Sequence, residues 1–395
     1  MAQFAKCMSR VSGEAVREIL KLMADPSVLT FGGGSPARET FPVGVARDIV
    51  DKSLADNPAA LLQYGVTEGW PALRQAYLDH MVRPKGVKAE LENVMTLTGS
   101  TQGIGLIAEI FLDPGDHVLV ESPTFLSTLN VFRRYDAVLV PVRVDDDGIM
   151  TNDLEEKMAK YKPKLLYTIP TFQNPTGRTI PADRREKIAG LAAKYDVIVL
   201  EDDPYCDLRY RGTPVPPIKS FDKSGHVVML NSFSKIISPG LRVGAMTADP
   251  AIIAKACDAK QLADTHTSNL VQEICAEFLN RGLLPGHLKS IVPLYEERLS
   301  AMLEGVGAHF PTGCEYTSPE GGLFVWVKLP GGADAQALVK RSVAELKIAF
   351  VPGRPFFADP NEGLDCIRMN FSSNPPEKIK DGMERLGKFF TAECA

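Results

Sequence analysis

The segment HVVMLNSFSKIISPGLRVG, residues 226–244, places a lysine just after an apolar strand. Burial disfavours the charged form of an amine and lowers its pKa, so Lys235 is a candidate Schiff-base amine. Ser232 and Arg242 supply a hydroxyl and a forked cation, both suited to binding phosphate. A lone lysine is more often a surface residue, because lysines are rarely buried. The segment therefore predicts a phosphate site beside a reactive amine, with a solvated lysine as the alternative.

Short β-rich runs alternate with helical patterns from about residue 90 to residue 250. Most runs are nearly continuous in Val, Ile and Leu, which is typical of strands buried on both faces of a parallel sheet. The pattern predicts an α/β fold: a three-layer large domain with a mostly parallel seven-stranded sheet and ligands at the carboxyl ends of the strands. The runs cover residues 93–98, 117–122, 137–142, 164–169, 197–202, 227–232 and 241–247.

The pattern changes after about residue 285, where a long helical stretch leads into GGLFVWVKLP and a mixed tail. This change predicts a smaller α+β domain. We therefore expect an N-terminal arm and helix (1–40) that packs with the small domain and over the active site. A large domain (41–285) and a small C-terminal domain (286–395) follow.

Composition excludes several classes of protein. The net charge of −5 and the lack of a long basic run do not indicate a nucleic-acid-binding surface. No apolar run approaches the roughly 20 residues that cross a bilayer. Seven scattered cysteines and six dispersed histidines favour neither a disulfide framework nor a metal site. We expect a cytoplasmic protein that binds no metal, no nucleic acid and no membrane.

The loop TGSTQGIG, residues 98–105, is spelled like a dinucleotide-binding turn, and Glu121 follows at the distance of a ribose-binding acid. A short-chain dehydrogenase would carry this turn near its amino terminus and a lysine four residues after a tyrosine, and neither feature is present. Ser100 and Thr101 open a helix whose free N–H groups favour an anion. The loop is therefore expected to bind phosphate, with a helix start that merely needs small residues as the alternative.

The pattern N-S-F-S-K-x-x-x-P-G-L-R-x-G, residues 231–244, resembles the pyridoxal-phosphate lysine signature of class I/II (fold-type I) aminotransferases. The resemblance extends over most of the chain, with nine motifs in family order. These are QYGVTEGWPALR (63–74), TGSTQG (98–103), ESPTF (121–125), QNPTG (173–177), EDDPY (201–205), the lysine segment, EGGLFVW (320–326), VPGRPFF (351–357) and IRMNFS (367–372).

The resemblance implies pyridoxal 5'-phosphate as cofactor and assigns three catalytic residues. Lys235 would bond covalently to the cofactor and move protons during the reaction. Asp202 would pair with the pyridine nitrogen and keep it protonated, so that the ring withdraws electrons. Asp203 is the competing choice, although the D-x-x-Y spacing favours Asp202. Tyr205, together with Asn174, would hydrogen-bond the phenolic oxygen of the cofactor.

Further cofactor contacts follow from the same resemblance. Phe125 stands where the family usually has tyrosine, and its ring face is sufficient to stack on the pyridine. Tyr64 resembles the tyrosine that reaches the phosphate of the neighbouring subunit, which implies a homodimer with shared active sites. The residues expected to hold the phosphate within the same chain are Ser100, Thr101, Ser232 and Arg242.

Arg368 in IRMNFS resembles the arginine that grips the α-carboxylate of the substrate, a task that suits a guanidinium because it donates two parallel hydrogen bonds. Gly33 matches a position where the amino-terminal segment passes over the site, and Asn174 is also expected near the substrate. Arg17 and Arg38 are candidates for binding a second carboxylate, with solvated surface charge as the alternative.

The motifs resemble the branch that acts on 2-aminoadipate, kynurenine and aromatic amino acids. This implies a ping-pong transfer of an α-amino group from an amino acid to a 2-oxo acid, with 2-oxoglutarate the expected acceptor. The same scaffold supports other reactions, because fold does not determine function. The alternatives are a carbon–sulfur β-lyase and a non-catalytic effector-binding regulator domain.

Overall fold

The computed structural model describes residues 4–11 and 25–394. The α-helices of this part, numbered in chain order, are α1 Val43–Asp56, α2 Pro58–Leu62, α3 Pro71–Tyr77, α4 Ser100–Phe111, α5 Leu126–Arg134, α6 Thr151–Tyr161, α7 Ala182–Tyr195, α8 Pro250–Ala263, α9 Asn269–Asn280, α10 Leu283–His309, α11 Ala335–Leu346 and α12 Pro376–Glu393. The strands are β1 Leu29–Thr30, β2 Val94–Leu97, β3 His117–Ser122, β4 Val138–Asp145, β5 Gly148–Ile149, β6 Leu165–Thr168, β7 Ile198–Asp203, β8 Val227–Ser232, β9 Gly244–Thr247, β10 Glu315–Tyr316, β11 Phe324–Lys328, β12 Ile348–Ala349, β13 Val351–Pro352 and β14 Cys366–Asn370.

The large sheet has the strand order β2-β9-β8-β7-β6-β3-β4-β5. Its central pairs, from β8 through β7, β6 and β3 to β4, are all parallel, whereas β9 and β5 run antiparallel to their neighbours. Strands β2, β6 and β8 are buried along their whole length, as their continuous apolar sequences require. The predicted α/β fold with a mostly parallel sheet is confirmed.

Each of the seven predicted runs overlaps a strand of this sheet, but the sheet has eight strands. The additional strand, β5, is only two residues long and pairs antiparallel with the end of β4. Asp146 and Asp147 make the turn between them, and Gly148 follows with a φ of 79°. A two-residue edge strand has no hydrophobic periodicity of its own, so the predicted count of seven was one too low.

The carboxyl ends of the parallel strands bring polar side chains to one edge of the sheet. Asp202 is the penultimate residue of β7, Ser232 ends β8, and Lys235 follows three residues later. Strand β2 runs in the same direction as β8, because both are antiparallel to β9. Helix α4 begins at Ser100, three residues after β2, at the same edge. Ligands bind at this edge in open α/β sheets.

A second, antiparallel sheet with the order β10-β11-β14-β13 lies in the carboxyl-terminal part, with helices α10 and α12 packed against each other. One continuous apolar cluster contains Leu200 of the large sheet, Val325 of the small sheet and Met383 of α12. Helix α10 runs across residue 286, so the division of the chain at that point stays a prediction.

The amino-terminal segment is attached to the smaller sheet region. Strand β1 pairs in parallel with β12, and the Phe31 carbonyl accepts a hydrogen bond from the Asn370 amide at 2.7 Å. The Ala37 amide donates to Tyr295 Oη of α10 at 3.0 Å. Residues 29–37 are therefore held by the small sheet and α10. Among the helices of residues 4–11 and 25–394, none is both long and apolar enough to cross a membrane.

Candidate active site

A cleft of about 340 Å³ lies at the carboxyl edge of the large sheet. Lys235, Arg242 and Arg368 line it, and Asp202 is the one acidic residue among the described residues of its lining. Such an excess of positive charge favours anionic ligands. The remaining lining residues are Gly32, Gly33, Gly34, Ser35, Ser100, Thr101, Phe125, Leu126, Ser127, Ile169, Asn174, Pro204, Tyr205, Ser232, Ser234 and Phe324.

Lys235 presents its amine inside this cleft. Its Nζ donates a hydrogen bond to the Gly34 carbonyl at 2.6 Å. Burial lowers the pKa of Lys235 to about 8, and the positive charges of Arg368 and Arg242 act in the same direction. An amine with this pKa is partly neutral near pH 8, and the neutral form is the nucleophile. The position and the lowered pKa make Lys235 chemically suited to attack an aldehyde.

Asp202 and Asp203 project to different surroundings, as adjacent residues of a strand do. Asp202 is 3% exposed and lines the cleft, and its Oδ2 accepts a hydrogen bond from Tyr167 Oη at 2.9 Å. Its Oδ1 is buried without a partner, and burial raises the pKa of Asp202 to about 7. Asp203 does not line the cleft, and Lys85 and Cys206 are among its neighbours. Of the two candidates, the fold brings Asp202 to the cleft.

The phosphate-binding candidates meet where β9 passes the start of α4. A Cβ on Gly99, where φ is 82°, would come within 2.2 Å of Arg242 Nη2. A Cβ on Gly244 would come within 2.8 Å of the Ser100 amide nitrogen. The two glycines thus allow a guanidinium and the first turn of a helix to approach closely. Ser232 and Thr101 complete this group of donors in the cleft lining.

Aromatic and amide side chains form the walls of the cleft. Tyr205 is 5% exposed, and its ring packs edge-on against Phe324 with centroids 5.9 Å apart. Burial raises the pKa of Tyr205, against the lowering effect of a hydrogen bond from Asn174. Phe125 immediately precedes α5 and is half-buried in the lining. The phenol, the amide and the two phenyl rings are groups that can contact a planar aromatic ligand.

Arg368 lies on β14 with only 6% of its surface exposed. Its Nη1 donates to Asn174 Oδ1 at 2.9 Å, and its Nη2 donates to the Gly32 carbonyl at 2.8 Å and, at 3.5 Å, to Gly33. Its Nε has no partner, and burial lowers the pKa of Arg368 to about 10. A buried cation held by neutral oxygens favours binding of an anion.

One predicted site residue in the described part of the chain, Tyr64, does not line this cleft. Tyr64 is 81% exposed and contacts the ring of His266, with centroids 5.9 Å apart. Arg17 lies outside the residues that the structure describes. Arg38, the other candidate for a second carboxylate, does not line the cleft. The remaining predicted site residues all line it.

Glu121, which stood at the distance of a ribose-binding acid, has a different environment. It is 1% exposed and accepts hydrogen bonds from Thr168 Oγ1 (3.0 Å), the Ile169 amide (3.1 Å) and Gln173 Nε2 (3.2 Å). Burial raises the pKa of Glu121 to about 7. These hydrogen bonds hold the segment before Asn174 in place, and Glu121 does not line the cleft.

Sequence reasoning missed several lining residues. Phe324 lies within the motif EGGLFVW and Ser234 within the lysine segment, so the motifs contained them without indicating their role. Ile169 ends a predicted strand, and a position at the carboxyl end of a strand was the available signal. Gly34 adjoins the predicted Gly33, and the expected passage of the amino-terminal segment over the site was the available signal.

The lining fits pyridoxal phosphate. The unpartnered, buried Asp202 Oδ1 needs a donor, which a protonated pyridine nitrogen provides. The close approach of Arg242 to the start of α4 provides donors for a phosphate. Among the described residues, no group of His, Cys, Asp and Glu side chains is arranged to hold a metal ion.

Comparison with known proteins assigns the family. The model of the family "Aminotransferase class I and II" matches residues 26–386. The chain is 40% identical to aromatic-amino-acid aminotransferase 1 of Thermococcus litoralis, over 96% of this chain and 91% of that protein. This chain belongs to the class I and II aminotransferases.

Two solved structures have the same fold throughout. The kynurenine aminotransferase of Pyrococcus horikoshii, in complex with PMP, has a TM-score of 0.95 at 38% identity, covering 99% of this chain and 98% of that one. The α-aminoadipate aminotransferase of Thermus thermophilus, complexed with N-(5'-phosphopyridoxyl)-L-leucine, has a TM-score of 0.91 at 34% identity, covering 98% of this chain and 97% of that one. The protein is a pyridoxal-phosphate-dependent aminotransferase that transfers an amino group between an amino acid and a 2-oxo acid, and both its family and its cofactor were predicted correctly.

Proposed function

We propose that the enzyme transfers the α-amino group of an aromatic amino acid, 2-aminoadipate or a similar donor to 2-oxoglutarate by a ping-pong mechanism. The observation that carries the proposal is the environment of Arg368, a buried cation whose described hydrogen-bond partners are neutral oxygens of Asn174, Gly32 and Gly33. Donor and acceptor both carry an α-carboxylate, so one guanidinium serves both half-reactions. The names of the three relatives support this range of donors.

When bound, pyridoxal phosphate supplies an electrophilic aldehyde and an electron-withdrawing pyridine ring. Lys235 Nζ is the proposed point of covalent attachment, and the same nitrogen then carries the proton that the substrate Cα loses. Its lowered pKa, about 8, supports both roles, because a larger fraction of the amine is neutral near neutral pH than for an ordinary lysine. The Gly34 carbonyl, which accepts a hydrogen bond from this amine in the structure, would help to hold it when it is not bonded to the cofactor.

Asp202, Tyr205 and Asn174 are proposed to tune the cofactor. The Asp202 carboxylate would accept a hydrogen bond from the pyridine nitrogen at its unpartnered Oδ1, which keeps that nitrogen protonated. The Tyr205 hydroxyl and the Asn174 amide would hydrogen-bond the phenolic oxygen, and both residues line the cleft. Phe125 would stack on the ring face.

The phosphate would be held by Ser100, Thr101, Ser232 and Arg242, and by Tyr64 of a second copy. The exposed side chains of Leu62 (73%), Tyr64 (81%) and Leu262 (88%) are the apolar groups that a dimer contact at this face would cover. Thr98, two residues before Ser100, lies 3.0 Å from Thr267 of the segment that carries His266, the ring partner of Tyr64. The surface around Tyr64 and His266 therefore adjoins the proposed phosphate site.

The amino-terminal residues are proposed to cover the substrate. Gly33 lines the cleft beside Arg368, and Arg17 is the proposed ligand of a second substrate carboxylate. We further propose that the enzyme acts in the cytoplasm, because its seven cysteines are all free thiols, as in reducing compartments.

The test is to incubate purified protein with L-phenylalanine or L-2-aminoadipate, with and without 2-oxoglutarate, and to measure glutamate and ammonia. Glutamate formed in proportion to consumed donor supports the proposal. S-phenyl-L-cysteine, which carries a sulfur leaving group on Cβ, is tested in parallel; its conversion to thiophenol, pyruvate and ammonia without any oxo acid would instead assign a carbon–sulfur β-lyase type of reaction. A Lys235→Ala variant is the control, because it retains the fold of the cleft but loses the proposed attachment point.

A further inference from the structure

The buried guanidinium of Arg368 lies over two phenyl rings that the proposed mechanism does not use. Its Cζ is 4.3 Å from the ring centroid of Phe324 and 5.1 Å from that of Phe356. Both rings are buried, with 1% and 0% of their surface exposed. These distances are within the range of about 6 Å over which a cation is attracted to a ring face. The two phenyl rings, Phe324 and Phe356, are called the aromatic pair below.

The aromatic pair compensates the buried positive charge of Arg368. A cation taken out of water needs compensation, and Arg368 has only amide and carbonyl oxygens as hydrogen-bond partners among the described residues. A carboxylate in the protein would neutralise the charge, but it would then compete with the substrate for the same N–H groups. Ring faces attract the cation while leaving its N–H groups free. They compensate the buried charge without occupying the edge that a carboxylate needs.

The rings are themselves held firmly. Phe324 begins β11, which pairs with β14 at the position Phe324–Asn370, two residues from Arg368. A Cβ added to Gly34 would come within 3.2 Å of Phe324 Cζ, so the amino-terminal segment packs directly on this ring. Phe356 packs edge-on against Trp326 with centroids 5.7 Å apart. Firmly packed rings that hold the guanidinium in position would lower the entropy cost of binding a planar carboxylate.

We propose that Phe324 and Phe356 are positioning residues that hold Arg368 charged, dehydrated and in plane for the α-carboxylate of the substrate. The inference rests on the proposed role of Arg368 in carboxylate binding. It extends that role to two residues that need not touch the carboxylate.

The test compares L-phenylalanine with 2-phenylethylamine, which has the same ring and amine but no carboxylate, in single-turnover reactions of the holoenzyme. For Phe324→Leu we expect the apparent affinity for L-phenylalanine to fall roughly tenfold, the scale of a desolvated cation–π contact. Phe356→Leu should lower it about threefold, because its ring is farther away. In Phe356→Leu, whose side chain does not line the cleft, the rate with 2-phenylethylamine and the affinity for pyridoxal phosphate should not change. In Phe324→Leu, whose side chain also borders the cofactor space, the affinity for L-phenylalanine should fall more than the rate with 2-phenylethylamine.

Phe350→Leu is the matched control, since Phe350 is 1% exposed in the same region and packs on Phe390 with centroids 5.5 Å apart. This variant should lose stability but keep its affinity for L-phenylalanine. If Phe324→Leu fails to fold, 3,5-difluorophenylalanine at position 324 keeps the volume and weakens the ring face. A two- to threefold loss of affinity, on the order of a partly weakened cation–π contact, is then expected.

The outcomes separate this inference from the proposed function. If the wild-type enzyme turns over neither L-phenylalanine nor L-2-aminoadipate, the proposed function is overturned, and this inference with it. If the wild-type enzyme is active but Phe324→Leu affects the amine and the amino acid equally, the rings are only packing residues. An unchanged affinity in the fluorinated variant would also overturn the inference.

Discussion

Replacing Arg368 with lysine tests the centre of the proposed mechanism. The variant keeps a positive charge but replaces a fork of N–H groups by a single ammonium. In the structure the guanidinium already donates to Asn174 and Gly32 at 2.9 and 2.8 Å, and its Nε has no partner. An ammonium at this position must donate hydrogen bonds to these oxygens and to the substrate, and it has fewer N–H groups in a less suitable geometry.

The magnitude follows from the loss of one charge-assisted hydrogen bond. Such a bond to a charged group contributes about 1.5–3 kcal/mol. We therefore expect Arg368→Lys to lower kcat/KM for L-phenylalanine by roughly 10- to 150-fold, at about 1.4 kcal/mol per factor of ten. The loss should appear mainly in KM, because the carboxylate is bound before and during the chemical step. Binding of pyridoxal phosphate should remain as in the wild-type enzyme.

The assay measures both half-reactions separately, with L-phenylalanine for the first and 2-oxoglutarate for the second. Because one guanidinium is proposed to bind both carboxylates, both half-reactions should lose affinity together. Arg47→Lys is the control, since the Arg47 side chain is 83% exposed. An Arg368→Lys enzyme with unchanged KM for both substrates would refute the role of Arg368, and a loss confined to cofactor binding would assign it to a different ligand.

Four other predictions test the remaining groups. Lys235→Ala should abolish the covalent cofactor adduct that borohydride traps, and mass spectrometry showing the adduct at another lysine would contradict the assignment. Asp202→Asn should retain the cofactor but reduce kcat by roughly a hundredfold, as for removal of one preorganised electrostatic contact; a full rate would exclude pairing with the pyridine nitrogen. The rate at which apoprotein takes up pyridoxal phosphate should rise with pH and level off above about 8, because Lys235 loses its proton there. Stopped-flow absorbance measures this rate, and a rate that stays constant across this pKa is not compatible with the assignment. Tyr64→Phe should weaken cofactor binding about fivefold, the scale of one net hydrogen bond, without dissociating the dimer; equilibrium dialysis measures the affinity and sedimentation the dimer, and an unchanged affinity would exclude a contact between Tyr64 and the phosphate.

The amino-acid sequence alone was sufficient to predict seven of the eight strands of the large sheet. Runs such as residues 117–122 and 227–232 became strands with the same bounds, because continuous apolar sequence has no stable place except between two layers. The lysine segment and the order of nine motifs indicated the family and the cofactor, because motifs of this kind consist of residues close together in the sequence. Tight turns, helix starts and the residues around a bound phosphate are local features, and local features are written in consecutive residues.

Only the tertiary structure decided how distant residues meet. It brought Asp202 rather than Asp203 into the cleft, added β5 to the sheet edge, and set the Gly32 carbonyl against Arg368 across 336 positions of sequence. It also placed Phe324 and Phe356 under the same guanidinium. These contacts depend on how two sheets and the amino-terminal segment pack together. Packing of this kind is a property of the whole fold, whereas hydrophobic periodicity and motif spacing report only on neighbouring residues.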